Sequence, residues 1–467
     1  MNISQCLLPF QLIQDTCKVL LTSFGGLPLV METFRALGLR ESIKRHLPIL
    51  HRQGRYREAD YVESFISLFA AGGDCVDDFE LLRADEGLKK LGLRVPSPEA
   101  VRVFLKAFHQ EEGLEGRLPH QAFIPEETQW LQGLGEVQKE LIGKATREEP
   151  PWKATIDLDA TVIESHKREA YYTYLGQRGY QPVVAYWAEQ DLIVADQFRD
   201  GNVPAGMELL SVLKEAVGAL PRTVRLVRVR SDSAAYVHEL LDWCRKKVLG
   251  RPRIEFAISA DMTEELRAPI QALPKEAWKP LRKVTDKGLI VGRKEWAEVE
   301  FVPSQPSRKK RMQPDRYLAI RIRPTQGELF GDGNPYHYFA VVTNIWSWNG
   351  ERLLQWQRER CGTVEKVHDV LKNDLAAGVM PAKRFFANAA WWRFNLLAYN
   401  VLSVMKRKAL PPSWWSFRLK TLRFHLLCIA ARVIEHGRRL FLKFAKYHPH
   451  FLLYKEAREK LFIFSSA

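Results

Sequence analysis

The sequence predicts an α/β fold built on a mixed sheet, and three observations lead to this prediction. Residues 153–259 contain β-rich runs in the order of a three-strand meander followed by two strands that alternate with helices. Residues 1–150 show apolar residues at i, i+3 and i+4, which is the spacing of amphipathic helices. The chain is helical again beyond residue 383. The strand order is that of an RNase H-like fold with helical N- and C-terminal flanks.

The N-terminal flank, residues 1–150, is predicted to be a helical, DNA-binding domain. Helical spacing is clear over residues 27–37, 59–69 and 97–108. Ser97 precedes Pro98 and Glu99, and serine is a good N-cap because its hydroxyl accepts a free backbone N–H of the first turn. We therefore expect a helix to begin at Pro98.

The core is predicted to be split by a β-rich insertion. Strands and helices are expected over residues 153–163, 181–187, 192–198, 205–219, 223–230, 234–247 and 254–259. The corresponding regions are a first part of the catalytic core at 151–260, a β-rich insertion domain at 261–350, a second part of the core at 351–400 and a basic helical C-terminal region at 401–467.

The basic charge is concentrated near the C-terminus. The 467-residue chain has a formal net charge of +15. Residues 383–467 alone contain 17 Lys and Arg residues against three acidic residues, a net charge of +14. A localised excess of this kind is typical of polyanion binding, because each neutralised phosphate releases counterions. We predict DNA contacts at Lys406, Arg407 and Lys408; a solubilising basic face is the alternative.

The cysteine pattern and the hydropathy of the sequence indicate the cellular compartment of the protein. None of the six cysteines forms a C-x2-C pair, so neither a zinc ribbon nor a disulfide framework is indicated. No apolar run approaches the roughly 18 residues that a spanning helix needs. We expect a cytoplasmic, nucleoid-associated bacterial protein without a membrane partner.

Three carboxylates stand at the ends of elements that this fold order brings together. Asp159 and Asp232 end predicted strands, and Glu365 begins a predicted helix. Such a trio can hold two divalent cations about 3.5–4 Å apart for in-line attack on a phosphodiester. We predict that Asp159, Asp232 and Glu365 are catalytic and ligate two Mg²⁺ ions, for which Mn²⁺ can substitute. An Asp that follows a strand is, however, more commonly a turn or helix cap, as the sequence around Asp232 also allows.

Asp157 leaves a second interpretation open. It shares a strand face with Asp159, so either residue can supply the first metal ligand. The segment Asp157–Thr161 also resembles the D-x-D-x-T motif of haloacid-dehalogenase-like phosphatases, in which Asp157 would be the nucleophile and Asp159 the general acid. Those enzymes need a further acidic motif for Mg²⁺, and residues 231–237 contain no second acid.

Several segments together resemble the DDE transposases of bacterial insertion sequences, most closely the insertion-sequence family numbered thirteen-eighty. The matching segments are Asp157–Glu164, Tyr174–Pro182, Phe198–Asn202, Arg230–Ser233 and Asn395–Asn400. The likeness spans residues 20–440 and favours Asp159 over Asp157 as the first aspartate.

The resemblance also implies residues that contact DNA. The wider group has a Y-x2-R-x3-E-x6-K signature, and Glu365 with Lys372 matches its second half. Lys372, seven residues on, would share a helix face with Glu365 and hold a phosphate. Cys361 stands at the arginine position, so Arg358 or Arg360 beside it is implied instead.

The resemblance further implies that an insertion tryptophan stacks on a base flipped from the transposon end. The candidates are Trp296, Trp346 and Trp348, and core packing is the commoner role for each. The implied activity is metal-dependent strand cleavage and transfer at the ends of an insertion sequence. The implied partners are double-stranded DNA with terminal inverted repeats, target DNA and a second copy of the chain in a synaptic dimer. A DNA-binding protein whose catalysis has decayed is the alternative.

Overall fold

The computed structural model describes residues 19–50, 54–285, 288–303, 314–323 and 336–466. Four of the cysteines lie in these ranges, and all four are free thiols. No helix in the described ranges is both long and apolar enough to cross a bilayer.

The N-terminal region is helical after one short strand. Its elements are β1 (Leu20–Thr22), α1 (Leu27–Ala36), α2 (Leu39–His46), α3 (Glu58–Ala71), α4 (Phe79–Ala84), α5 (Glu86–Lys90), α6 (Pro98–Lys106) and α7 (Gln129–Ala145). The predicted cap is confirmed, because Ser97 Oγ accepts from the backbone N of Ala100 at 3.3 Å. Helix α3 is buried along nearly its whole length, so it packs on several sides.

The central region contains the predicted strands and helices. They are β2 (Lys153–Ala160), β3 (Ile163–Glu164), β4 (Tyr171–Tyr172), β5 (Arg178–Tyr180), β6 (Val183–Trp187), β7 (Leu192–Gln197), α8 (Leu209–Ala219), β8 (Leu226–Ser231), α9 (His238–Arg245), β9 (Arg253–Ala260) and α10 (Glu264–Gln271). Strands β7, β6 and β2 form an antiparallel meander, and β8 and β9 continue it in parallel with β2. This order confirms the RNase H-like core.

The β-rich segment continues the same sheet. Strands β10 (Lys279–Thr285), β11 (Gly288–Phe301), β12 (Asp315–Ile322) and β13 (His337–Thr343) join it because β13 pairs with β9. In the described part of the chain the resulting sheet has nine strands. A second buried cluster, which includes Trp296, Leu353 and Leu354, fills one face of the added strands.

The C-terminal region is helical except for one pair of antiparallel strands. Its helices are α11 (Gly350–Arg358), α12 (Val364–Asp369), α13 (Phe385–Ala409), α14 (Leu419–Leu422) and α15 (Phe451–Ser466). The prediction of helix throughout residues 401–467 was wrong for β14 (Ala431–His436) and β15 (Arg439–Lys443). Strand β14 pairs with β1 from the other end of the chain, a partner that local periodicity cannot reveal.

Helix α13 joins the N-terminal helices to the sheet. It is buried on nearly all sides, including both Trp391 and Trp392. Asn400 accepts from Ile193 N and donates to Ile193 O, each at 2.8 Å. Since Ile193 lies on the edge strand β7, these bonds satisfy backbone groups that an exposed edge would leave open to another chain.

Candidate active site

Asp159 and Asp232 lie side by side at one end of the central sheet. Strands β2 and β8 run in parallel, and their last paired residues are Leu158 and Ser231, directly before the two aspartates. Asp232 Oδ1 also accepts from Ala234 N at 3.1 Å, so this residue does cap the short turn that follows β8. Burial, together with the negative charge of Asp159, raises the pKa of Asp232. The site therefore concentrates negative charge that a cation would neutralise.

Two basic side chains face Asp159. Arg360 Nη1 donates to Asp159 Oδ1 at 3.1 Å, and His368 Nε2 lies 3.3 Å from Asp159 Oδ2. Both residues are buried, at 9% and 5% exposure. Sequence reasoning missed His368; its position three residues after Glu365 on a predicted helix was the available signal.

Asp157 lies in a separate, fully buried contact. Its carboxylate forms two bonds with Arg230, Nε to Oδ1 at 2.6 Å and Nη2 to Oδ2 at 2.9 Å. Thr363 Oγ1 donates to Oδ2 at 2.5 Å. Both carboxylate oxygens of Asp157 thus accept hydrogen bonds from protein groups, and the residue is not exposed to solvent.

Glu365 stands on the first turn of α12 and is exposed. Burial of Cys361, together with the charge of the nearby Glu365, raises the pKa of that thiol. The oxygens of Asp159, Asp232 and Glu365 do not all lie within 4.8 Å of one another. The structure places the two aspartates on adjacent strand ends, and the three carboxylates do not form one close cluster.

Comparison with known proteins gives the family. The family model described as "Transposase DDE domain group 1" matches residues 19–465. The chain belongs to this transposase family. No curated protein matches it. Among solved structures, a piggyBac transposase synaptic complex with hairpin DNA is similar at a TM-score of 0.45 and 11% identity, covering 86% of this chain and 77% of that one.

DDE transposases generally use divalent metal ions, and the aspartate pair fits such an ion. Carboxylate oxygens are the ligands that Mg²⁺ prefers, and burial together with the charge of Asp159 raises the pKa of Asp232 although Arg360 opposes the shift. Arg360 supplies one compensating charge to Asp159. Asp159 and Asp232 are therefore suitable ligands.

The transposase's predicted DNA-contacting arginines and lysine differ in exposure. Arg358 is exposed, whereas the buried Arg360 faces Asp159 instead of solvent. Lys372 is half-buried in a π-helical turn, Val370–Asp374, that replaces the α-helix after Asp369. The expectation that Lys372 lies two regular turns beyond Glu365 was therefore wrong, because a π turn contains more residues than an α turn.

The three tryptophans predicted as candidates for stacking on a flipped base also differ in their exposure to solvent. Trp296 is 3% exposed and packs in the second core cluster, so it is not available to a base in this structure. Trp348 is in contact with Arg228 and Arg352, whose guanidinium carbons each lie 4.5 Å from its ring centroid. Trp346 is 56% exposed and remains accessible.

The predicted basic cluster on α13 is largely paired within the protein. Lys406 Nζ lies 3.3 Å from Asp191 Oδ2, and Lys408 Nζ lies 2.8 Å from Glu148 Oε2. Arg407 lies over the Trp415 ring. The acidic partners of Lys406 and Lys408 lie more than 200 residues away in the chain, and these contacts reduce the charge that the two lysines offer to DNA.

Proposed function

We propose that this chain is a transposase of the insertion-sequence family numbered thirteen-eighty, which cleaves DNA at the ends of its element and joins the freed 3′ ends to target DNA. The observation that carries the proposal is the placement of Asp159 and Asp232 at the ends of two adjacent parallel strands. Proteins use such converging carboxylates to bind the ions that promote phosphodiester chemistry.

In this proposal Asp159, Asp232 and Glu365 hold two Mg²⁺ ions, with Mn²⁺ as a substitute. The ions would activate the attacking water or 3′-hydroxyl and neutralise charge on the leaving oxygen. The protein's own part is to orient the carboxylates. Arg360 neutralises Asp159 in the structure, and its release would accompany the approach of Glu365.

The proposed partners follow from this activity. They are double-stranded DNA with terminal inverted repeats, target DNA and a second copy of the chain that pairs the two ends in a synaptic complex. The exposed Arg358, two residues before the Arg360 that faces Asp159, is suited to contact the bound end.

The test is cleavage of a supercoiled plasmid that carries the element's own ends, in the presence of Mg²⁺. Wild type would be compared with Asp159→Asn, Glu365→Gln and, as a control on the same helix, Asp369→Asn. Asp369 forms an ion pair with Arg418, away from the aspartate pair. Cuts at the ends that are lost in the first two variants and kept in the control support the proposal.

Other outcomes favour the alternatives. Unchanged cleavage in Asp159→Asn and Glu365→Gln would contradict the assignment of these residues. End binding without cuts would favour a decayed DNA-binding protein. Phosphatase turnover that survives Glu365→Gln would favour the D-x-D-x-T interpretation, although Asp157 is enclosed by Arg230 and Thr363.

A further inference from the structure

The β4–β5 hairpin, residues 171–180, exposes large side chains at its tip. Tyr174 is 76% exposed, Leu175 is 57% exposed and Tyr172 on β4 is 58% exposed. Strands β4 and β5 belong to a small sheet of order β3-β5-β4 that is separate from the central sheet. Two large side chains with this exposure at one turn leave an apolar surface without a partner in the described chain.

The tip is an ordered turn. Gly176 N donates to Thr173 O at 3.0 Å, and Leu175 N donates to Thr173 Oγ1 at 3.2 Å. Gly176 has a φ of +80°, a backbone conformation that residues other than glycine rarely adopt. The turn therefore holds Tyr174 and Leu175 outward on a defined backbone, and a tyrosine ring loses little conformational entropy when it is covered.

The base of the hairpin is tied to the core. Gly201 N donates to Gly179 O at 3.0 Å, and a Cβ at Gly179 would lie 2.2 Å from Ile163 O. Arg117 forms an ion pair with the buried Asp200, and its backbone carbonyl accepts from Tyr171 Oη at 2.7 Å. This explains why the sequence motifs 174–182 and 198–202 occur together: they build the base of one projecting hairpin.

The hairpin projects from the end of the sheet that carries Asp159. Strand β2 ends at Ala160, β3 begins at Ile163, and Ala160 pairs with Val183 just after the hairpin. The tip lies six residues beyond Tyr180, so it can reach up to about 20 Å past the strand end. DNA held at the aspartate pair would lie within its range.

Basic groups flank the hairpin. Arg168 is exposed on the β3–β4 connection, and so is His166, whose Nδ1 lies 3.9 Å from Glu164 Oε1. The guanidinium of Arg178 lies 4.6 Å from the Tyr172 ring centroid and donates to Arg168 O and Ala170 O. Cations around an exposed aromatic and aliphatic tip are the combination that DNA-distorting proteins use, because the cations bind phosphates while the apolar residues enter the base stack.

We propose that the β4–β5 hairpin is a DNA wedge that inserts Tyr174 and Leu175 beside the terminal base pair of the element end. The wedge unstacks this pair next to the phosphate that is cut. This inference rests on the proposed function, since the DNA it engages is the end held at Asp159 and Asp232. A protein partner fits less well, because Arg168 and Arg178 lie beside the tip and the hairpin projects from the sheet end that carries Asp159.

The experiment uses the full chain, the double variant Tyr174→Ala/Leu175→Ala and the control Leu249→Ala. Leu249 is fully exposed just before β9, at the opposite end of the parallel strands. Cleavage is measured on plasmid ends that are fully paired and on ends with a mismatch at the terminal pair. Binding is measured with a duplex of the element end that contains 2-aminopurine at that pair, whose fluorescence rises on unstacking.

The wedge predicts roughly 10- to 100-fold slower cleavage of paired ends by the double variant, with most of the rate recovered on mismatched ends. The rise in 2-aminopurine fluorescence should occur with wild type and Leu249→Ala and be lost in the double variant. Wild-type cleavage and fluorescence in the double variant would overturn the wedge, as would equal loss of cleavage on paired and mismatched ends.

Failure of the proposed function is distinguishable from failure of the wedge. If wild type cuts neither substrate, the transposase activity fails while the fluorescence signal still reports whether the tip unstacks the bound end. If wild type cuts and the fluorescence does not depend on Tyr174 and Leu175, the wedge alone is overturned.

Discussion

Arg360 Nη1 donates to Asp159 Oδ1 at 3.1 Å, a contact between residues 201 positions apart in the chain. The Asp159 side chain is 12% exposed, so its charge is poorly screened by water. The guanidinium therefore neutralises a carboxylate that we assign to metal binding. A cation arriving at Asp159 has to compete with this contact.

We expect Arg360→Gln to become unusually dependent on Mg²⁺ for stability. Without the guanidinium, Asp159 is a poorly hydrated charge with only His368 beside it, and the free energy of unfolding in EDTA should fall by roughly 1–3 kcal/mol. Mg²⁺ should then raise the unfolding temperature more than in wild type. Arg358→Gln removes an exposed arginine two residues away and is the control. Equal Mg²⁺ effects in all three proteins would show that Arg360 does not compete with the ion.

Asp157→Asn should destabilise the fold strongly. The change removes the charge from a buried pair whose side chains are 0% and 2% exposed, and it leaves Arg230 with only the exposed Glu359 as an acidic partner. Losses of about 3–5 kcal/mol are typical when one partner of a buried ion pair is removed. Urea unfolding gives the free energy. The exposed pair of Arg83 and Glu80 provides the comparison, and Glu80→Gln should cost about 1 kcal/mol or less. Equal effects would argue against a structural role for Asp157.

Glu215→Gln should stabilise the protein at alkaline pH. Burial, with further contributions from Asp196 and Glu127, raises the pKa of Glu215 to about 7 although Arg393 opposes the shift. The folded state then favours the protonated form. This contribution is fully present below the unfolded pKa of about 4.5 and is lost as the pH rises through about 7.

The variant and wild type should therefore unfold alike near pH 4.5 and differ by about 1–3 kcal/mol at pH 8. Urea midpoints at both pH values measure the difference. The exposed residue Glu112 supplies the control, since Glu112→Gln should give no pH-dependent gain. A constant offset between Glu215→Gln and wild type at all pH values would contradict the expectation.

The salt dependence of DNA binding should respond to exposed cations near the site more than to the α13 cluster. Arg358→Gln with Lys366→Gln removes two exposed charges, and the slope of log K against log salt should fall by about 2. Lys406→Gln with Lys408→Gln should leave the slope nearly unchanged, because both lysines are paired with acids. A reversed result would restore the α13 cluster as a principal DNA contact.

By itself the sequence determined the order of the core strands and the positions of Asp159 and Asp232 at strand ends. These features depend on local periodicity and on the rule that parallel neighbours end at one edge of a sheet. The cap at Ser97 was predictable for the same reason, since its partner Ala100 lies three residues away.

Only the tertiary structure decided which side chains meet across the fold. It joined β13 to β9, paired β1 with β14, placed Asp157 against Arg230 and turned Arg360 toward Asp159. Each of these contacts joins segments distant in the chain, and their specificity comes from packing and desolvation that no local pattern encodes. The π turn that contains Lys372 is likewise followed by a tertiary contact, since Ala376 N donates to Asn395 Oδ1 on α13 at 2.8 Å.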